Sequence, residues 1–209
     1  MSPSNRELVE FFIRYKLSQK NYPSSLLMPD HARVLNGLLA IPNDNKQTLA
    51  SLPPEDHVEA VKEALQDSAN EFEELFTQAF SNLSSQLHIT PDTAYNSFKN
   101  VMDEVFKDGV NWGRIVGLFV FGGVLCVECV EKNMGNLVPR IADWMTIYLD
   151  ENIASWIQSQ GGWGRFAHIF GQNAAGGARR SRETLKTWLL VGVGLLTGVL
   201  VAMLIAKKR

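Results

Sequence analysis

The residues Asn111-Trp112-Gly113-Arg114 place an amide, a glycine and a guanidinium within one turn of chain. Asn111 is a natural helix cap, which puts Arg114 in a first helical turn, at the positive end of the macrodipole where an acid is preferred. Gly113 costs about 1 kcal/mol of helix propensity relative to alanine. Together they suit a surface where a second backbone approaches closely and offers a carboxylate. An arginine paired inside the protein explains the same residues, and the local sequence leaves both readings open. Cys126 and Cys129 form C-x-x-C, a spacing seen in redox and zinc sites. There is no second pair and no basic neighbour to lower a thiol pKa, so two buried structural thiols are the better reading. His31, His57, His88 and His168 are scattered and form no ligand pattern, and no phosphate-loop, dinucleotide or nucleophile-elbow motif is present. The chain is therefore expected to carry no catalytic residues, no metal and no cofactor.

Charge is uneven along the 209 residues. The total is −2, but residues 179–209 carry +6 and residues 1–178 carry −8. Nothing in this balance favours a nucleic-acid partner. From Trp188 to Ala206 nineteen consecutive residues are uncharged, a helix of roughly 28 Å, which matches one hydrocarbon core. The opening MSPSNREL has no apolar run of the signal-peptide kind. The expectation is a tail anchor at 188–206, with the acidic body on the cytosolic side and a linker at 172–187. Gly194 and Gly198 give the anchor a G-x-x-x-G face by which a second copy could pack, although glycine is common in such helices anyway.

The elements that must position Arg114 read as helices. Ser4-x-x-Glu7 has the capping-box form and opens a helix with Leu8, Phe11, Phe12, Tyr15 and Leu17 on its apolar face. Residues 23–56 hold five of the eight prolines and no steady period, so they read as a flexible loop. Pro53-Pro54-Glu55-Asp56 starts a helix whose stripe is Val58, Val61, Leu65, Phe72 and Phe76. Thr90-Pro91 starts another, with Tyr95, Phe98, Val101, Met102 and Val105. Asp108 to Asn111 breaks the chain before a very apolar helix in which Ile115 to Val127 carries no charge. Thirteen residues is short for a bilayer, so this helix is expected to be buried on all sides. Its glycines, Gly113, Gly117, Gly122 and Gly123, are best explained by tight helix packing. A second apolar helix is expected from about Leu137 to Leu149, a continuation to a stop at Gly161-Gly162, and a last helix at Trp163–Phe170. No strand pair or repeat is evident.

At these residues the sequence resembles a family. Asp108-Gly109-Val110-Asn111-Trp112-Gly113-Arg114-Ile115-Val116 with Phe121-Gly122-Gly123 looks like the first homology motif of the B-cell-lymphoma-two (Bcl) apoptosis regulators. Trp156-Ile157-Gln158 with Gly161-Gly162-Trp163 looks like the second, and Ser4 to Val9 with Tyr15 to Lys20 is similar to the fourth. Leu87 to Pro91 and Asn173-Ala174-Ala175 match pro-survival members. The resemblance covers roughly 4–22 and 57–206, leaving out the loop.

The resemblance implies an all-α bundle of about eight helices around a central apolar hairpin, 112–149, plus a C-terminal transmembrane helix. The N-terminal helix (1–22) would pack on the bundle, residues 57–171, which carries a ligand groove. It also implies a place on the mitochondrial outer membrane, with the endoplasmic reticulum, the nuclear envelope and a soluble cytosolic pool as further locations. Its partners would be pro-apoptotic relatives, bound through amphipathic death-motif helices, and a second copy of the chain. The groove walls, assigned by position, would be Phe72, Phe76, Leu83, Val101, Glu104, Val105, Leu118, Phe121 and Phe170. A ligand aspartate would pair with Arg114, Asn111 would add a hydrogen bond, and Gly113 would permit close approach. One departure stands out: after Leu65 the third motif carries Ala69-Asn70, where the family carries a small residue and aspartate. The chain should therefore be a poor ligand for its relatives while remaining a competent receptor. A pore-forming executioner is the alternative within the family, and a channel formed by the hairpin 112–149 is the alternative outside it.

Overall fold

The computed structural model describes residues 2–28, 56–81 and 90–171, all helices and short connections, with no strand among them. Helix α1 spans Asn5–Ser18, α2 Asp56–Ser81, α3 Ala94–Phe106, α4 Trp112–Glu131, α5 Val138–Tyr148, α6 Ala154–Ser159 and α7 Gly162–Phe170. Single turns of tighter helix precede and follow the bundle's elements at Ser24–Leu27 and Gly135–Leu137, and a π-turn at Leu149–Ile153 joins α5 to α6.

Helix α4 is the axle of the fold. Every residue from Trp112 to Gly123 is buried, because Arg114 is the one charged side chain in this stretch and other helices surround it. It is long and apolar enough to cross a membrane, yet it is the core helix of the bundle. Helix α5 returns antiparallel to it across a turn in which Asn133 takes φ +58°, a left-handed conformation that asparagine tolerates. The register is fixed at Gly122, where an added Cβ would lie 2.3 Å from Met145 Sδ. On another side α1 approaches at Gly123, whose Cβ would meet Lys16 Cγ at 2.7 Å and Phe12 Cε1 at 3.0 Å. Both glycines therefore serve close packing, as the sequence suggested.

Helix α1 starts where expected, with Ser4 Oγ accepting from the Glu7 N–H at 3.1 Å. Glu7 does not close the box; its carboxylate lies 3.4 Å from Lys62 Nζ on α2. The helix is tied down at both ends. Asn5 donates to Asp150 Oδ1 (2.7 Å) and accepts from Trp163 Nε1 (2.8 Å), and Arg6 pairs with Asp143. At its far end Lys16 pairs with Glu73 (2.8 Å), and Tyr15 Oη donates to Asn70 Oδ1 (2.8 Å).

Three expectations need correction. Helix α3 begins at Ala94, not at Pro91, because Thr90 and Thr93 bond each other's backbone N–H through their hydroxyls and close a turn first. Tyr95, placed on the buried stripe, is 47% exposed, since its ring lies against Trp144 on the surface instead. The stretch 23–28 is not loop throughout: its tight turn buries Leu27, and Leu26 reaches over the hairpin turn, 3.2 Å from a Cβ at Gly135. The rest of the expected loop, 29–55, and the linker and anchor, 172–206, lie outside the described residues.

Candidate functional site

Arg114 occupies the first turn of α4, where the α3–α4 connection delivers the chain. That connection is five residues long, Lys107 to Asn111. The Gly109 N–H bonds Phe106 O (3.0 Å), and Gly109 takes φ +105°, which glycine reaches without strain. Asn111 then caps α4, its Oδ1 accepting the Arg114 N–H at 2.9 Å. The cap is thus confirmed, with the side-chain oxygen of Asn111 engaged in it.

Arg114 is only 5% exposed. Its Nη1 donates to the Gly109 carbonyl oxygen, while its Nε is buried with no hydrogen-bond partner. Among the described residues no carboxylate forms an ion pair with it. The internally paired reading therefore takes an unusual form, a bond to one carbonyl that leaves the charge uncompensated. A buried charge in that state is costly.

The turn bearing Arg114 is held by aromatic packing. Trp112 lies 5.0 Å from Trp156, 5.8 Å from Trp163 and 5.2 Å from Phe166, ring centre to ring centre. The two sequence motifs, at 108–123 and 156–163, thus meet in one cluster. Phe170, at the end of α7, continues it at 4.9 Å from Phe166.

The residues assigned to the groove by position fall on four helices. Phe72 is on α2, Val101, Glu104 and Val105 on α3, Asn111 at the α4 cap, Gly113, Arg114, Leu118 and Phe121 on α4, and Phe170 on α7. Helix α2 packs along α7 and α4, and α3 packs on α4. Phe72, Val101, Val105, Leu118, Phe121 and Phe170 are all buried; Phe121 meets Phe98 at 6.2 Å. Glu104 is half-buried and its carboxylate accepts from Lys107, which raises the lysine pKa above its usual value. Phe76 is on α2, but its side chain, like the whole of Leu83, lies outside the described residues.

Sequence reasoning misses the Gly109 carbonyl. Asp108-Gly109 reads as a helix breaker and as the start of the first motif, neither of which gives the carbonyl a partner; the signal available is glycine in a short turn five residues before Arg114. Among the described residues no cluster of three metal-ligating side chains exists. Cys126 and Cys129 are free and buried; burial raises both thiols, Cys129 to about 11. Neither is poised as a nucleophile.

Comparison with known proteins agrees with this architecture. The pattern described as apoptosis regulator proteins of the Bcl-2 family matches residues 65–163, and Bcl-2 homology region 4 matches residues 1–25. The chain is 45% identical to Bcl-2-like protein 1 of Gallus gallus and 43% identical to that of Homo sapiens, over the full length of each. It is 39% identical to apoptosis regulator R11 of Xenopus laevis, again over the full length of both. With its helices wound about the buried α4, its two motifs joined through Trp112 and full-length likeness to these regulators, the chain belongs to the Bcl-2 family of apoptosis regulators.

Proposed function

We propose that this chain is an anti-apoptotic regulator, anchored in the mitochondrial outer membrane by 188–206, which sequesters pro-apoptotic relatives by binding their death-motif helices. It does so by shape and charge, with no bond made or broken. A helix laid in the groove would present apolar residues at i, i+3 or i+4, and i+7 to the walls on α2, α3 and α4, and an aspartate to Arg114. The observation that carries this reading is the buried guanidinium with an unpartnered Nε and, among the described residues, no carboxylate paired with it. A carboxylate arriving with the ligand would complete it in a setting drier than open surface, where charge pairs gain most.

Asn70 supports the receptor role over the ligand role. An amide cannot make the charge-assisted bond a carboxylate makes, and here its oxygen is already engaged by Tyr15 of α1. The third motif is thereby tied to the N-terminal helix.

The test is a double-mutant cycle. Arg114→Ala should weaken a death-motif peptide by about 2–5 kcal/mol, at least roughly tenfold, mainly through faster dissociation. Replacing the peptide's aspartate by alanine should do the same, and both changes together should cost far less than the sum. Additive losses, or unchanged affinity in a folded Arg114→Ala protein, overturn the assignment.

A further inference from the structure

The bond from Arg114 Nη1 to the Gly109 carbonyl leaves a defined part of the guanidinium for a partner. A guanidinium offers its donors along fixed edges, and Nε and Nη2 point to one side as a fork that matches the two oxygens of a carboxylate. Nη1, off that edge, is occupied. Nε, on it, is buried and unpartnered. The side chain is thus parked with one particular edge unsatisfied rather than merely lacking a counter-ion.

The parking group is itself tightly determined. Gly109 is bonded back to α3 through its N–H and stands two residues before the cap residue of α4. Its carbonyl reaches Arg114 from a backbone with φ +105°, in the region L-residues rarely adopt. An added Cβ at Gly109 would meet nothing within 4 Å, so the constraint on this residue is the backbone conformation and not space. The far side of the turn cannot yield, since Trp112 is wedged among Trp156, Trp163 and Phe166.

We propose that Gly109 is a positioning residue: its carbonyl holds Nη1 so that the Nε–Nη2 edge of Arg114 receives the ligand carboxylate side-on, through two parallel hydrogen bonds. The inference rests on the groove reading above and adds to it which edge binds and what aims it. An L-residue at 109 would pull φ back to negative values, turn the carbonyl away, and let the guanidinium rotate among several poses. The charge would remain, but the fork would be lost.

The experiment uses the full chain in lipid nanodiscs and two synthetic amphipathic helix peptides that differ only by aspartate or alanine at the charged position. The readout is the ratio of their dissociation constants. The unaltered chain should prefer the aspartate peptide by about tenfold or more. Gly109→Ala should bind the alanine peptide within about twofold of the unaltered chain while its aspartate preference falls to about threefold or less. D-alanine at position 109, introduced by semisynthesis, has the mirror-image backbone preference and should restore the ratio. In the unaltered chain the Arg114 Hε resonance should move on binding the aspartate peptide and stay still with the other. A full aspartate preference in Gly109→Ala overturns the proposal, as does an equal loss for both peptides or failure of D-alanine to rescue. If instead Arg114→Ala leaves the preference of the unaltered chain intact, the groove reading fails and this inference with it, so the two failures are told apart.

Discussion

Gly122 offers the sharpest test of how the central hairpin is packed. A methyl group there would lie 2.3 Å from Met145 Sδ, 2.6 Å from Cε and 3.0 Å from Cγ, and Met145 is fully buried. Methionine can rotate away, but a fully enclosed side chain has nowhere free to go. Overpacking of this kind costs about 1–3 kcal/mol, and replacing glycine by alanine inside a helix returns about 1 kcal/mol. Gly122→Ala should therefore destabilise by about 0–2 kcal/mol net. Met145→Ala removes all three clashing atoms and opens a cavity, at a cost of about 2–5 kcal/mol. In that background the new methyl loses its three nearest contacts and fills part of the void, so Gly122→Ala should become stabilising by about 1 kcal/mol. The coupling between the two sites should be about 1–3 kcal/mol, well outside the scatter of additive pairs. Guanidinium unfolding of the chain truncated after Gly177, followed by circular dichroism, gives all four stabilities. Equal losses from Gly122→Ala in the two backgrounds would refute the α4–α5 register.

Truncation after Gly177 should also yield a soluble protein that still binds death-motif peptides, while the full chain resists alkaline carbonate extraction from membranes; a truncated chain that stays in the pellet would remove the anchor assignment. Tyr148 ties stability to alkaline pH. Burial first, then the neighbouring Asp103, pushes its phenol up to about 12, so the neutral form is favoured in the fold. The stability this gives is complete below the ordinary phenol pKa of 10.0 and is lost as pH rises through about 12. Tyr148→Phe should make the decline in melting temperature across that window shallower, and an unchanged slope would contradict the assignment. A peptide spanning 57–81 should bind a relative's groove weakly, and Asn70→Asp in it should strengthen binding by about tenfold, as measured by titration calorimetry. No gain from the aspartate would mean that something other than the missing carboxylate limits this motif.

The helices were legible because each carries its own local code. Ser4 and Asn111 were readable as caps, and both accept the expected N–H. The apolar run of α4 announced a helix buried on all sides, and Gly161-Gly162 announced a stop, where both residues take positive φ. Errors came where a local signal had two outcomes. Thr90-Pro91 can begin a helix or a turn, and reciprocal hydroxyl bonds chose the turn. Tyr95 fits a helical stripe by spacing, but spacing cannot say whether a neighbouring helix covers the ring.

What the sequence determined alone is the set of helices, the two free buried cysteines and the family, since periodicity, caps and ordered motifs are properties of neighbours in the chain. What only the tertiary structure decided is what those neighbours meet. Asn70 turns to Tyr15 across fifty-five residues, Asn5 joins Asp150 to Trp163, and Met145 stands over Gly122. The state of Arg114 belongs to this second kind. Its position was readable, but its burial, its bond to Gly109 and its unpartnered Nε arise from a left-handed turn set just before an aromatic cluster around Trp112, and no local pattern encodes how a backbone carbonyl will point.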